Sequence, residues 1–208
     1  YKDIKNSISP EWLQKKLLSI GLRPINALVD ITNFITMDLG RPLHVFDADK
    51  IGNQLNMRLS NDQEKLLALD NKEYSLNDTT TVIADSKYPL AIAGIIGGND
   101  SGCTLETKNV FSEVAVFNSS MVAKTGRKLG INSDARYRFE RGLDLEMVNE
   151  GLNYATSLIQ DICGGSFSKK THAGDLDLNK RNISYKFETF EKVIGIFRVP
   201  LTLENIPE

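Results

Sequence analysis

The chain is short of several things, and each shortage excludes something. It has two cysteines, Cys103 and Cys163, in 208 residues. Neither belongs to a Cys-x-x-Cys pair or a Cys/His metal spacing, so no disulfide framework and no zinc site is expected, and a reducing compartment fits best. Histidine is nearly as scarce, with His44 and His172 alone. No Ser-His-Asp order, no Gly-x-Ser-x-Gly elbow and no setting for a nucleophilic cysteine can be read. No apolar run reaches the length of a membrane span, and the opening YKDIKNSISPEW lacks the apolar core of a signal peptide. An excess of one charge is also missing: Lys+Arg 25 against Asp+Glu 27 leaves a net charge of -2. No global field draws such a chain to nucleic acid or an anionic membrane, so any such contact must come from a local patch. The abrupt start at Tyr1 is also what a piece of a longer protein would show.

What is present, 41% hydrophobic and 25% charged residues, is the composition of a globular chain of one domain or one and a half. Ser9-Pro10-Glu11 reads as a helix start, with Leu13, Leu17 and Ile20 on one face and Gly21 as the stop. A second helix is expected from Asn26 to Leu39, with Leu28, Ile31 and Ile35 inward. Strand signals then run from Val45 to Phe117: Leu55, Met57 and Leu59 alternate, and LALDNKEY reads as a hairpin about Asp70-Asn71. PLAIAGIIGG reads as one strand buried on both faces, and NVFSEVAVF as another. Ser119 or Ser120 should cap a helix ending at Gly130. Asp144 should start the longest helix, with Met147, Val148, Leu152, Ala155, Ile159 and Ile162 on one face and Gly164-Gly165 at its end. SFSKKTHAGDLDLNKRN reads as a linker. The boundaries are therefore a domain over 1–175, then linker and the truncated start of another module over 176–208, where ISYKFETFEKVIGI reads as strand then helix.

Four places could carry chemistry. In VFSEVAVF, Glu113 falls in the middle of an apolar strand, where a carboxylate is costly unless something hydrogen-bonds to it. It is either a structural glutamate, partnered by an arginine of RYRFERG, or a ligand-binding group. GIIGGNDSG places Gly94, Gly97 and Gly98 after an apolar strand without the lysine of a phosphate loop, so the glycines mean a close backbone approach, to a neighbouring strand or to a bulky ligand. His44 follows Pro42 at a strand start and is either a satisfied structural residue or a positioning group. RKLGINSDARYRFERG gathers arginines and aromatics that could hold phosphate and stack on bases, or simply pair with Asp134, Glu140 and Asp144.

Taken in order, RPINALVDITNF, GRPLHVFD, LAIAGIIGG, FSEVAVF and SDARYRFERGLD resemble the editing module of the beta subunit of bacterial-type phenylalanyl-tRNA synthetases, over most of Ser9 to Gly165. The resemblance implies an α+β fold, a three-layer sandwich with two β-sheets and a helical layer. It implies hydrolysis of tyrosyl-tRNA-Phe made in error, inside an enzyme that attaches phenylalanine to tRNA-Phe with ATP and Mg2+. The fragment itself would need no cofactor and no metal. It also implies a cytoplasmic protein whose partners are the mischarged tRNA end and the synthetase alpha subunit. Residue by residue, Glu113 matches the glutamate that accepts tyrosine's hydroxyl, and Ala93, Gly94 and Gly97 match a small-residue pocket wall. Thr32, Asn33 and His44 match the pocket residues that position the ester and the attacking water. Ser133 and Ala135 match pocket positions, Ser133 standing where many members have threonine. Arg23 matches a basic residue near the tRNA end, and Arg136 and Arg138 would meet tRNA, although Arg136-Tyr137 replaces the Ser-His common in relatives. Two other readings share this fold: a tRNA-binding or bracing module that has lost editing, and a free-standing editing esterase.

Overall fold

A computed structural model describes residues 1–52, 54–174 and 183–195. Its elements, in order, are helices α1 (Glu11–Ser19) and α2 (Ala27–Asp38), strands β1 (His44–Asp47), β2 (Asn56–Leu59), β3 (Lys65–Leu67), β4 (Glu73–Ser75), β5 (Thr81–Ala84), β6 (Pro89–Ile92), β7 (Ile96–Gly97) and β8 (Val110–Glu113), and helices α3 (Ser119–Leu129), α4 (Asp134–Phe139), α5 (Met147–Cys163) and α6 (Phe187–Ile194). The fold is α+β. Among the described residues the strands form three antiparallel sheets, β1-β8, β2-β5-β6-β7 and β3-β4, so a hairpin joins the expected two sheets as a third.

The helix α2 forms because Asn26 caps it, its side chain accepting from the Val29 amide, while Leu28, Ile31 and Ile35 recur on one face and are fully buried. That face packs with Leu13 and Leu17 of α1, Ala155, Ile159 and Cys163 of α5, and Val45 and Val110 of the β1-β8 ribbon. Side chains alternate along a strand, so Phe46 turns from these helices to the other side, where it meets Ile83, Leu90, Ala91 and Ala93 of the four-stranded sheet. The space between ribbon and sheet is where the site lies. On the far side of the large sheet, Val82, Ala84 and Ile92 pack against Val122 of α3, Ile131 of the α3-α4 loop and Phe139 of α4.

Several expectations are corrected. Ser9 caps nothing: Pro10 holds the cap position, and the Ser9 hydroxyl donates to buried Asp30, whose other oxygen accepts the Ile25 amide. That pair ties the chain start to α2, and Ile20, expected inward, is exposed. PLAIAGIIGG is two strands rather than one: the chain reverses at Gly94, which takes φ +68°, and β7 pairs back onto β6. NVFSEVAVF is strand only through Glu113, and Phe111 within it is exposed. Asn118, not a serine, caps α3 by accepting from the Met121 amide. Asp144 precedes α5 without capping it.

Internal contacts separate two units, Tyr1–Gly174 and Asp175–Glu208. In the second, residues 183–186 form no strand and α6 follows. The rest of the expected linker after Gly174, and everything after Gly195, lies outside the described residues.

Candidate functional site

The polar residues interrupting the apolar sequence of α2 fall on a second face of that helix. Val29, Thr32, Asn33 and Thr36 recur at helical spacing and line one wall of a cavity of about 440 Å³, within the size range of small-molecule sites. The opposite wall is Ala91, Ala93, Gly94 and Gly97 from β6, β7 and the turn between them. The floor is the ribbon, where His44 and Glu113 are direct cross-strand partners in the antiparallel register. Cross-strand partners put their side chains on one face, and both of these line the cavity. Phe117 and Phe139, their rings 4.9 Å apart, close one end, and Ser133, Asp134 and Ala135 complete it.

The chemistry of this wall is uneven. Thr32 Oγ1 donates to the Val29 carbonyl and Thr36 Oγ1 to the Thr32 carbonyl, both at 2.8 Å, so neither hydroxyl has its hydrogen free and each offers the cavity only acceptor lone pairs. The Asn33 amide and the Glu113 carboxyl line the same space and enter no protein hydrogen bond among the described residues. Burial pushes the Glu113 carboxyl up to about 7, against an opposing pull from the positive charge of Arg41. The carboxyl is enclosed by protein yet reachable from inside the cavity, which is why it is both desolvated and available.

His44 is held differently. Its ring meets Phe46 edge-on at 4.4 Å, and Nε2 is buried without a hydrogen-bond partner. A Cβ added to Gly97 would lie 2.5 Å from His44 Cε1 and 2.8 Å from Nε2. The absent side chain at Gly97 thus makes room for the imidazole, not for empty pocket volume. Burial lowers the His44 pKa to about 4, so the ring is neutral near pH 7. Gly94 is likewise filled: a Cβ there would come within 2.8 Å of Phe117 and 3.2 Å of Phe139, which lets those rings close the cavity end.

The remaining expected residues divide. Ser133 lines the cavity, but its hydroxyl accepts the Arg136 amide at 3.0 Å, capping α4, and donates to the Ile95 carbonyl at 2.6 Å. Arg136, expected to face tRNA, is buried: its guanidinium donates to Glu140, the Ile131 carbonyl and Asn132, in a space left by Gly126. Nothing in the residue pattern around Gly126 marked it as a third glycine that makes room for a side chain. Arg138 pairs with Asp134 and reaches Met37 of α2. Arg23 is exposed and lies away from the cavity lining. The arginine that acts electrostatically on Glu113 is Arg41, not one from RYRFERG. Cys103, also in the lining, is no nucleophile, because burial, reinforced by Asp47, pushes its thiol up to about 12.

A model of the B3/4 domain family matches residues 1–164. A phenylalanine–tRNA ligase beta subunit of Bradyrhizobium diazoefficiens is 51% identical over 195 residues, covering 94% of this chain and 24% of that protein. One from Brucella suis biovar 1 is 56% identical over the same length and shares. The chain therefore spans about a quarter of these relatives. Among solved structures, an N-terminal fragment of the phenylalanyl-tRNA synthetase beta subunit from Pyrococcus horikoshii is similar at 18% identity and a TM-score of 0.46, over 78% of this chain and 45% of that one.

Proposed function

The chain belongs to the B3/4 domain family, and from that premise we propose that its cavity hydrolyses tyrosyl-tRNA made in error by a phenylalanine–tRNA ligase of which it is a beta-subunit segment. The observation that carries this reading is the Glu113 carboxyl, facing the cavity with no hydrogen-bond partner among the described residues, directly across the ribbon from His44.

Selectivity follows from that carboxyl. A pocket that is merely apolar rejects an analogue bearing one extra hydroxyl by only about a hundredfold, and rejection of the desired product is what an editing site needs. A buried carboxylate inverts the preference: the tyrosine phenol donates to it, whereas phenylalanine desolvates it and leaves it unpaired. Hydrolysis needs no covalent intermediate. Water adds to the ester carbonyl, the bond to the tRNA 3′ oxygen breaks, that oxygen takes a proton, and free tyrosine leaves. The Asn33 amide is the donor suited to the carbonyl oxygen, and the Thr32 and Thr36 oxygens are acceptors suited to a water or an ammonium. The neutral His44 ring shapes the floor on which the water sits. ATP and Mg2+ would serve the charging reaction of the whole enzyme, and the tRNA-Phe end and the alpha subunit would be its partners in the cytoplasm.

The test is release of tyrosine from tyrosyl-tRNA-Phe against phenylalanine from phenylalanyl-tRNA-Phe by the purified chain. Tyrosine release should be faster, and Glu113→Ala should lower it at least about tenfold, the worth of one hydrogen bond to a charged group. Equal, slow release of both amino acids by a folded chain would point to a module that binds or braces without editing.

A further inference from the structure

Arg41 is among the most deeply buried side chains of the protein, at 1% exposure, and it is an arginine. It stands in the loop between α2 and β1, three residues before His44. Its guanidinium donates to the Ala115 carbonyl, two residues beyond Glu113, and to the Asp144 carbonyl at 3.4 Å, while Nε is buried without a partner. These hydrogen bonds go to backbone oxygens and to no carboxylate. Its stem is fitted against α5 at Gly151, where a Cβ would lie 3.0 Å from Arg41 Cγ. A buried arginine that neutralises nothing by contact is expensive to keep, since breaking even and leaving a donor idle both count against it. A purely structural tie between two carbonyls needs no charge.

We propose, on the basis of the editing reading above, that Arg41 is a positioning residue for substrate choice: held by the Ala115 and Asp144 carbonyls, its fixed charge stabilises the ionised form of Glu113 without capturing it. The carboxylate thus keeps its lone pairs for a hydroxyl-bearing ring. An arginine in direct contact would hold those oxygens itself, and no cation at all would leave them protonated and weaker as acceptors. The other ionisable groups around Glu113 cannot do this. His44, opposite on β1, is neutral, and Cys103 in the same lining keeps its proton. Asp134 is negative, more than half exposed and paired with Arg138. Asp144 lies beside Arg41 and adds negative charge there.

The test follows Glu113 itself by carbon-13 NMR of labelled glutamate in the full chain, with Glu113→Gln to assign the signal, alongside the pH profile of tyrosine release. Arg41→Gln keeps amide donors for the two carbonyls and removes the charge. It should raise the Glu113 titration midpoint by roughly one unit or more, the size of shift that loss of a nearby opposite charge produces, and move the pH profile with it. Arg41→Lys should return both toward wild type. A folded Arg41→Gln chain with an unmoved midpoint overturns the proposal. Should that variant not fold, Arg41→Met keeps an apolar stem against Gly151 and removes the charge, and an unmoved midpoint there overturns it equally. The NMR arm needs no turnover, so a chain that titrates as expected but shows no tyrosine preference would sink the editing reading alone.

Discussion

At the scale of single residues, one side chain of the cavity is defined by what another residue lacks. His44 sits where Gly97 would carry its Cβ, so the smallest enlargement at that glycine acts on the imidazole first. Gly97→Ala should cost about 1–3 kcal/mol as an overpacked contact and lower tyrosine release about tenfold or more, because small displacements of positioned groups are disproportionately harmful. Adding His44→Ala should restore stability in urea unfolding without restoring release. Stability left unchanged by Gly97→Ala would mean the ring moves aside freely. The residue-level reading from sequence reached Glu113, His44, Asn33 and Thr32 through the resemblance. Arg41 escaped it, because nothing in a sequence distinguishes an arginine that is buried from one that is solvated. Arg136 was mistaken for a surface contact for the same reason.

At the scale of elements, legibility followed periodicity and caps. α2 and α5 were readable because apolar residues recur over several turns, and the β3-β4 hairpin because the turn formers Asp70-Asn71 end the apolar run Leu66 to Leu69. α4 was not, since six residues are too few to show a period. The reversal inside PLAIAGIIGG was hidden because both limbs are apolar, and Gly94 was its only mark. Short α4 depends on its cap, so Ser133→Ala should cost about 1–2 kcal/mol, from losing the Arg136 amide contact and the bond to the Ile95 carbonyl together. Ser133→Thr should stay near wild type in thermal unfolding. An alanine variant as stable as the parent would show that tertiary packing alone holds α4.

For the whole molecule, the paired groups on the floor act on stability with opposite signs. Glu113 is raised from 4.5 to about 7 in the fold. Across that interval the native state holds a proton the unfolded chain has released, so stability falls as pH rises and the penalty is complete above it. His44 is lowered from 6.5 to about 4. There the unfolded chain binds a proton the native ring refuses, so stability rises with pH. Where the two intervals overlap the slopes offset, and replacing one group uncovers the other. Glu113→Gln should therefore stabilise the chain by on the order of 2 kcal/mol near pH 8 and hardly at all near pH 4. Urea unfolding at both conditions checks it, and an equal gain at the two would show that the effect comes from packing and not from ionisation.

The register that sets Glu113 opposite His44 joins two strands separated by the whole of the larger sheet in chain order. Ladders between remote segments close late, after local helices and hairpins have formed. The module is thus a scaffold first and a cavity last: an incompletely matured molecule would hold most of its helices while Glu113 and His44 remained on unconnected stretches, without the shared floor that brings them together.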